Sequence, residues 1–180
     1  DLIYCDSSKM SGTTINLSFP SVGATENIMM AATLMDGQMT IIKNCAREPE
    51  IVDLAKFINS MGGKVFGAGY ETIVVCGVKK LHGTVFKCIA DRIACGTYLI
   101  AGAMCGGRIE LDGIDPNFLL PLVTFLRNSG CNIDLFSDKI TMENFSRPKS
   151  IQKIETGVYP GFPTDMQSLI LAMQTISKGT

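Results

Sequence analysis

Residues 22–43, VGATENIMMAATLMDGQMTIIK, and residues 91–112, DRIACGTYLIAGAMCGGRIELD, follow one plan. Each opens with an apolar helical stretch, stops at a glycine (Gly37, Gly106) and continues into a short alternating strand. Working outward, the flanks repeat as well. Ahead of the first copy, 13–18 (TTINLS) alternates as a strand. Behind it, 48–61 reads as an amphipathic helix with Ile51, Leu54, Ala55 and Ile58 on one face, ended by Gly62-Gly63. Strands at 64–66 and 72–76 follow around the turn Gly67-Ala68-Gly69, which leads into no helix and so is not a nucleotide loop. The second copy predicts a strand at 84–89, helices at 91–104 and 116–129, and strands at 108–112, 132–136 and 139–143. Gly37 matches Gly106 and Gly62 matches Gly130, a period of about 68 to 69 residues. A third copy opens with a strand at 151–155 and a helix at 165–176. The pattern predicts about two and a half βαβαββ units of α/β (α+β) class.

The 180 residues are 46% hydrophobic and 18% charged with a net charge of −1, which excludes a disordered chain and gives no basic footprint for nucleic acid or an anionic membrane. No apolar run is long enough to span a bilayer. The start, Asp1-Leu2-Ile3-Tyr4, lacks the basic region of a signal peptide and reads as a cut end. A cytoplasmic location is expected. Seven cysteines, at 5, 45, 76, 88, 95, 105 and 131, contain no C-x-x-C pair, and the single histidine, His82, cannot complete a zinc set. Reduced, buried structural thiols are expected, with no metal and no cofactor. His82 lies in a polar turn and reads as a surface residue; Met29, Met30, Met35 and Met39 read as core filler.

In all three copies a polar residue stands where the apolar helix begins: Ser21, Asp91, and Thr164-Asp165. Helix N-termini present unpaired N–H groups and partial positive charge, which favours anions. Several such tips aimed at one region would suit a small multiply charged ligand, such as a phosphate ester or nucleotide diphosphate. Each residue also has a purely structural reading. Ser21 is a good N-cap, Thr164-x-x-Gln167 is a capping box, and Pro49 opens a helix with Glu48 and Glu50 at its start.

Four motifs carry a resemblance: Pro20-Ser21-Val22-Gly23-Ala24-Thr25-Glu26-Asn27, Ala46-Arg47-Glu48-Pro49-Glu50-Ile51, Asp91-Arg92-Ile93 with Gly96-Thr97-Tyr98, and Tyr159-Pro160-Gly161-Phe162-Pro163-Thr164-Asp165-Met166-Gln167. In order and spacing they resemble the UDP-N-acetylglucosamine 1-carboxyvinyltransferases of the enolpyruvyl transferase family, over almost the whole chain. The resemblance implies an inverse α/β barrel of two lobes, each of three βαβαββ units, with 1–89 belonging to the first lobe and 90–180 to the second. It implies transfer of the enolpyruvyl group of phosphoenolpyruvate to the 3-hydroxyl of UDP-N-acetylglucosamine, an early step in building peptidoglycan for the bacterial cell wall. By the same resemblance Asp165 is the base at that hydroxyl and Glu48 a second carboxylate near the reacting centre. Ser21, Val22 and Gly23 contact the UDP diphosphate, and Asp91 and Arg92 line the cleft. Two departures stand out: Phe19 where some members carry lysine, and Ala94-Cys95 where glutamate and a small residue are usual.

The family's acid, a cysteine on a mobile loop, matches none of the seven cysteines, and the resemblance puts that loop before residue 1. The chain alone is therefore expected to lack transferase activity. A half-finished unit exposes apolar surface, which predicts self-association. Two other readings stay open: a non-catalytic nucleotide-sugar-binding remnant, and a transferase acting on shikimate 3-phosphate.

Overall fold

A strand followed by a helix and a second strand can pair in parallel only if the helix carries the chain back. That is the first motif of the computed structural model, which describes Leu2, Tyr4 and residues 10–179. Strand β1 (Thr14–Asn16) leads through α1 (Val22–Thr33) to β2 (Met39–Lys43), and β1 and β2 pair in parallel, Thr14 opposite Ile41. Helix α2 (Pro49–Ser60) then precedes the hairpin of β3 (Val65–Phe66) and β4 (Thr72–Cys76). β4 runs antiparallel to β2, giving the order β1-β2-β4-β3. Alternation decides which face is covered: Thr40 and Ile42 of β2 and Ile73 and Val75 of β4 are buried, and the apolar residues among them join Met29, Ile51 and Ile58 in one core.

The chain separates into two compact units, Asp1–Cys88 and Ile89–Thr180. The second starts with α3 (Arg92–Cys105) and β5 (Gly107–Asp112), followed by a 3-10 turn, Pro116–Leu119, and α4 (Leu120–Asn128). Strands β6 (Asn132–Leu135) and β7 (Lys139–Asn144) complete an antiparallel sheet of order β5-β7-β6. A second 3-10 turn, Thr164–Met166, runs into α5 (Gln167–Ile176). Leu99, Leu122, Leu126, Ile140 and Met142 lie at the centre of this core.

The repeat is visible in hydrogen bonds. Helix α2 ends with Gly62 at φ 93 and Gly63 N–H donating to Ile58 O at 3.0 Å; α4 ends with Gly130 at φ 100 and Cys131 N–H donating to Leu126 O at 3.0 Å. Both are the same left-handed helix stop, one period apart. Beyond it, the Asn59 side-chain amide donates to Val65 O at 2.8 Å, and the Arg127 guanidinium donates to the equivalent Ile133 O at 2.6 Å. Different side chains hold equivalent carbonyls.

Several sequence expectations fail, each for a local reason. Segments 84–89 and 151–155 form no strand ladder, because an alternating pattern is a strand only when a neighbour takes its backbone groups. Residues 77–82 instead strap the ends of α1 and α2, with Val78 N–H donating to Thr33 O at 2.8 Å and His82 N–H to Met61 O at 2.9 Å. Ile151 gives its N–H to the Gln174 side chain at 2.9 Å, and around the third copy isolated parallel bridges stand in place of a ladder, Lys149 opposite Lys178 and Thr156 opposite Phe162. The helix expected over 116–129 breaks into a 3-10 turn and α4, since Pro121 has no N–H to give Asn117 O. Met29 is buried and Met35 packs beside the core, but Met30 and Met39 are exposed. Of the six cysteines among the described residues, all free, only Cys45 and Cys131 are buried, whereas Cys88 and Cys105 are exposed; Cys5 lies outside the described residues. His82 is exposed.

Candidate functional site

In the first unit the serine at the start of α1 is a working cap. Ser21 has extended backbone and its Oγ accepts the Ala24 N–H at 3.2 Å. The Val22 and Gly23 amides, ahead of any helical acceptor, find no partner among the described residues, and the space over Gly23 is open. One turn on, the buried Thr25 donates its hydroxyl to Ser21 O at 2.7 Å and accepts Ala46 N–H at 3.0 Å. That joins the tip of α1 to the segment leading into α2, where Glu48 holds the cap position and Pro49 the first turn. Glu48 caps nothing with its side chain; it is 7% exposed, and its Oε2 has no hydrogen-bond partner among the described residues. Burial, then the charges of Glu50 and Glu48, push the Glu26 carboxyl above its usual range. Open amides thus sit near carboxylates. Amides suit an anion; carboxylates suit hydroxyl or amide donors, and a sugar nucleotide offers both.

In the second unit Asp91 caps α3, its Oδ1 accepting Ile93 N–H at 2.8 Å and Ala94 N–H at 3.1 Å. Arg92, next in line, is 7% exposed, and its guanidinium carbon lies 5.8 Å from the centre of the Tyr159 ring, a cation–π distance. Tyr159 precedes Pro160 through a cis peptide bond. Arg92, Phe118, Pro121, Tyr159, Pro163 and Met166 line a cavity of about 300 Å³ in which Arg92 is the one cation. Four residues after Arg92, on the same helical face, Gly96 lies against Met166: a Cβ there would stand 2.6 Å from Met166 Cε and 3.1 Å from Leu122 Cδ2. The missing side chain lets the start of α5 press onto the start of α3. At their other ends Cys105 of α3 and Thr175 of α5 line a second cavity of about 670 Å³, so the two helices run parallel. There Arg147 donates to Ile176 O and, at 3.2 Å, to Ser177 O, closing the C-terminus of α5.

Parallel helices bring Asp165 to the same end of the second unit as Asp91 and Arg92. Asp165 is exposed in the 3-10 turn ahead of α5 and is not part of the cavity wall. The capping box expected there does not form: neither Thr164 nor Asp165 caps by its side chain, because the 3-10 turn displaces the first α-helical residue to Gln167. Ser21, Val22, Gly23 and Glu48 come together in the first unit, and Asp91, Arg92 and Asp165 in the second. Sequence reasoning missed Thr25 and Gly96. Both had a signal, since each stands four residues after a candidate site residue, and a glycine inside an apolar helix marks close approach. Among the described residues no cluster of His, Cys, Asp or Glu is placed to hold a metal, and no helix is long and apolar enough to cross a membrane.

Comparison with known proteins follows the same lines. The family profile EPSP synthase (3-phosphoshikimate 1-carboxyvinyltransferase) matches residues 3–180. UDP-N-acetylglucosamine 1-carboxyvinyltransferase 2 of Caldanaerobacter subterraneus is 48% identical over 178 residues, which are 99% of this chain and 42% of that protein. Its namesake in Clostridium tetani is 48% identical over 172 residues, 96% of this chain and 41% of that protein. The chain therefore spans about two fifths of the curated relatives it matches. Among solved structures, the enolpyruvyl transferase NikO from Streptomyces tendae superposes with a TM-score of 0.79 at 22% identity, over 96% of this chain and 43% of that one. EPSP synthase from Acinetobacter baumannii gives a TM-score of 0.54 at 19% identity, over 79% of this chain and 34% of that one. These likenesses establish the fold, a partial inverse α/β barrel.

Proposed function

The chain belongs to the enolpyruvyl transferase family, and from that membership we propose that it supplies part of an enzyme moving the enolpyruvyl group from phosphoenolpyruvate to the 3-hydroxyl of UDP-N-acetylglucosamine, in peptidoglycan synthesis. In this reading the sugar oxygen attacks C2 of phosphoenolpyruvate while Asp165 takes the hydroxyl proton, and C3 is protonated by an acid that this chain does not provide. Phosphate then leaves as C3 gives up a proton. The Val22 and Gly23 amides and the Ser21 hydroxyl hold the diphosphate, Glu48 serves as a second carboxylate near the reacting centre, and Asp91 and Arg92 are the second unit's substrate-binding residues.

The observation that supports this reading most is the parallel pairing of α3 and α5, which sets an exposed carboxylate, Asp165, at the same helix ends as the buried guanidinium of Arg92. An exposed carboxylate with no cap to serve is available to a substrate hydroxyl. The nucleotide sugar is preferred to shikimate 3-phosphate because the relatives at 48% identity are named for it. In a full-length enzyme carrying this segment, Asp165→Asn lowers turnover by about two to four orders of magnitude with the fold intact. Near-normal turnover would remove Asp165 from the role of base. The 180-residue chain alone releases no phosphate from the two substrates; release would overturn its dependence on an acid from elsewhere.

A further inference from the structure

We propose that the Thr25 hydroxyl is a positioning group that fixes the amide tip of α1 against the segment carrying Glu48. What that half-site holds rests on the reading above; the coupling itself rests on geometry. A threonine bonding back to the carbonyl four residues earlier, as Thr25 does to Ser21 O at 2.7 Å, is ordinary in helices. Accepting the Ala46 N–H at 3.0 Å, from 21 residues further along the chain, is not ordinary. Ala46 is fully buried, lies outside every strand ladder, and finds no other acceptor among the described residues. A buried amide needs an acceptor, so this contact is obligatory for the segment. The neighbours of Ala46 are anchored elsewhere: the Asn44 side chain donates to Leu17 O at 2.9 Å and Cys45 N–H to Glu71 O at 3.3 Å. Two residues beyond Ala46 stands Glu48 with its unpartnered oxygen. One hydroxyl therefore relays from Ala46 N–H to Ser21 C=O and ties the starts of α1 and α2 together. Valine would fill the same space and make neither bond.

The test uses the isotope-labelled chain with Thr25→Val and Thr25→Ser. In Thr25→Val the Ala46 amide exchanges with solvent about tenfold faster or more, because a buried donor has lost its acceptor. The Val22 and Gly23 amide resonances move in the same variant, and Thr25→Ser returns both to wild-type behaviour. Unchanged Ala46 exchange overturns the proposal. So does faster Ala46 exchange with Val22 and Gly23 left in place, which would make the hydroxyl a packing bond only. Should Thr25→Val unfold the first unit, Thr25→Ser against wild type decides: a hydroxyl-retaining variant that still displaces Val22 and Gly23 refutes the role. Titration with uridine diphosphate is the separate arm. If it leaves the wild-type Val22 and Gly23 resonances unmoved, the diphosphate reading fails, while the exchange data still judge Thr25.

Discussion

Replacing Gly96 by alanine tests whether the contact between α3 and the turn before α5 sets the second half of the site. The new Cβ would lie 2.6 Å from Met166 Cε, 2.9 Å from Met166 Sδ and 3.1 Å from Leu122 Cδ2. Carbon atoms in contact prefer about 3.5–4.0 Å, so Met166 must retreat by about 1 Å. Met166 is fully buried, and such overpacking costs about 1–3 kcal/mol. Alanine's better helix propensity offsets about 1 kcal/mol of that. The net expectation is a second unit weaker by about 1 kcal/mol, read as roughly fivefold faster amide exchange at Met142 in the central strand β7. Met166→Ala alone costs about 2–5 kcal/mol through the cavity it opens. Combined with Gly96→Ala, the new methyl partly fills that cavity, so the double variant is better than additive by about 1 kcal/mol. Asp165 adjoins Met166 in the chain, and a shift of about 1 Å costs about a hundredfold in turnover when a full-length enzyme carries the change. A gain of the full propensity term, with strictly additive pair energies, would refute the contact and the positioning drawn from it.

Two further outcomes follow from charge and surface. Glu26 titrates above its unfolded value, chiefly from burial and then from Glu50 and Glu48, so its contribution favours folding below the unfolded value and is lost as pH rises through the folded one. Glu26→Gln should therefore stabilise the first unit at neutral pH and make no difference in acid; pH-independent melting differences would discount the carboxylate cluster. Helix α3 leaves Ala94, Tyr98, Ala101 and Cys105 exposed along one stripe, and Phe145 is 80% exposed, so self-association is expected at micromolar concentrations. A clean monomer by light scattering, with a single cooperative melt, would count against it.

Much of the fold was legible because it repeats. Glycine stops one period apart, at Gly62 and Gly130, mark real left-handed helix ends with matching bonds. Helix positions followed from apolar periodicity, and the paired strands β2, β4, β5, β6 and β7 from alternation. Segments 84–89 and 151–155 carry a strand pattern without forming strands, because pairing depends on a partner, which a local pattern does not contain. The exposed Met30 and Met39, and the exposed Cys88 and Cys105, show the same limit. Residue type states a preference for burial, and the neighbours decide it.

The amino-acid order by itself determined the repeating unit, the caps at Ser21 and Asp91, and the resemblance through which family membership was first read. These depend on contacts within a turn or two of the chain, or on direct likeness to relatives. Only tertiary structure decided that Asp165 caps nothing, that Gly96 lets two helix starts meet, that one oxygen of Glu48 is buried without a partner, and that Thr25 ties Ala46 to Ser21. Each of these depends on which atoms from distant parts of the chain come within a few ångströms, and no local pattern of residues encodes that distance.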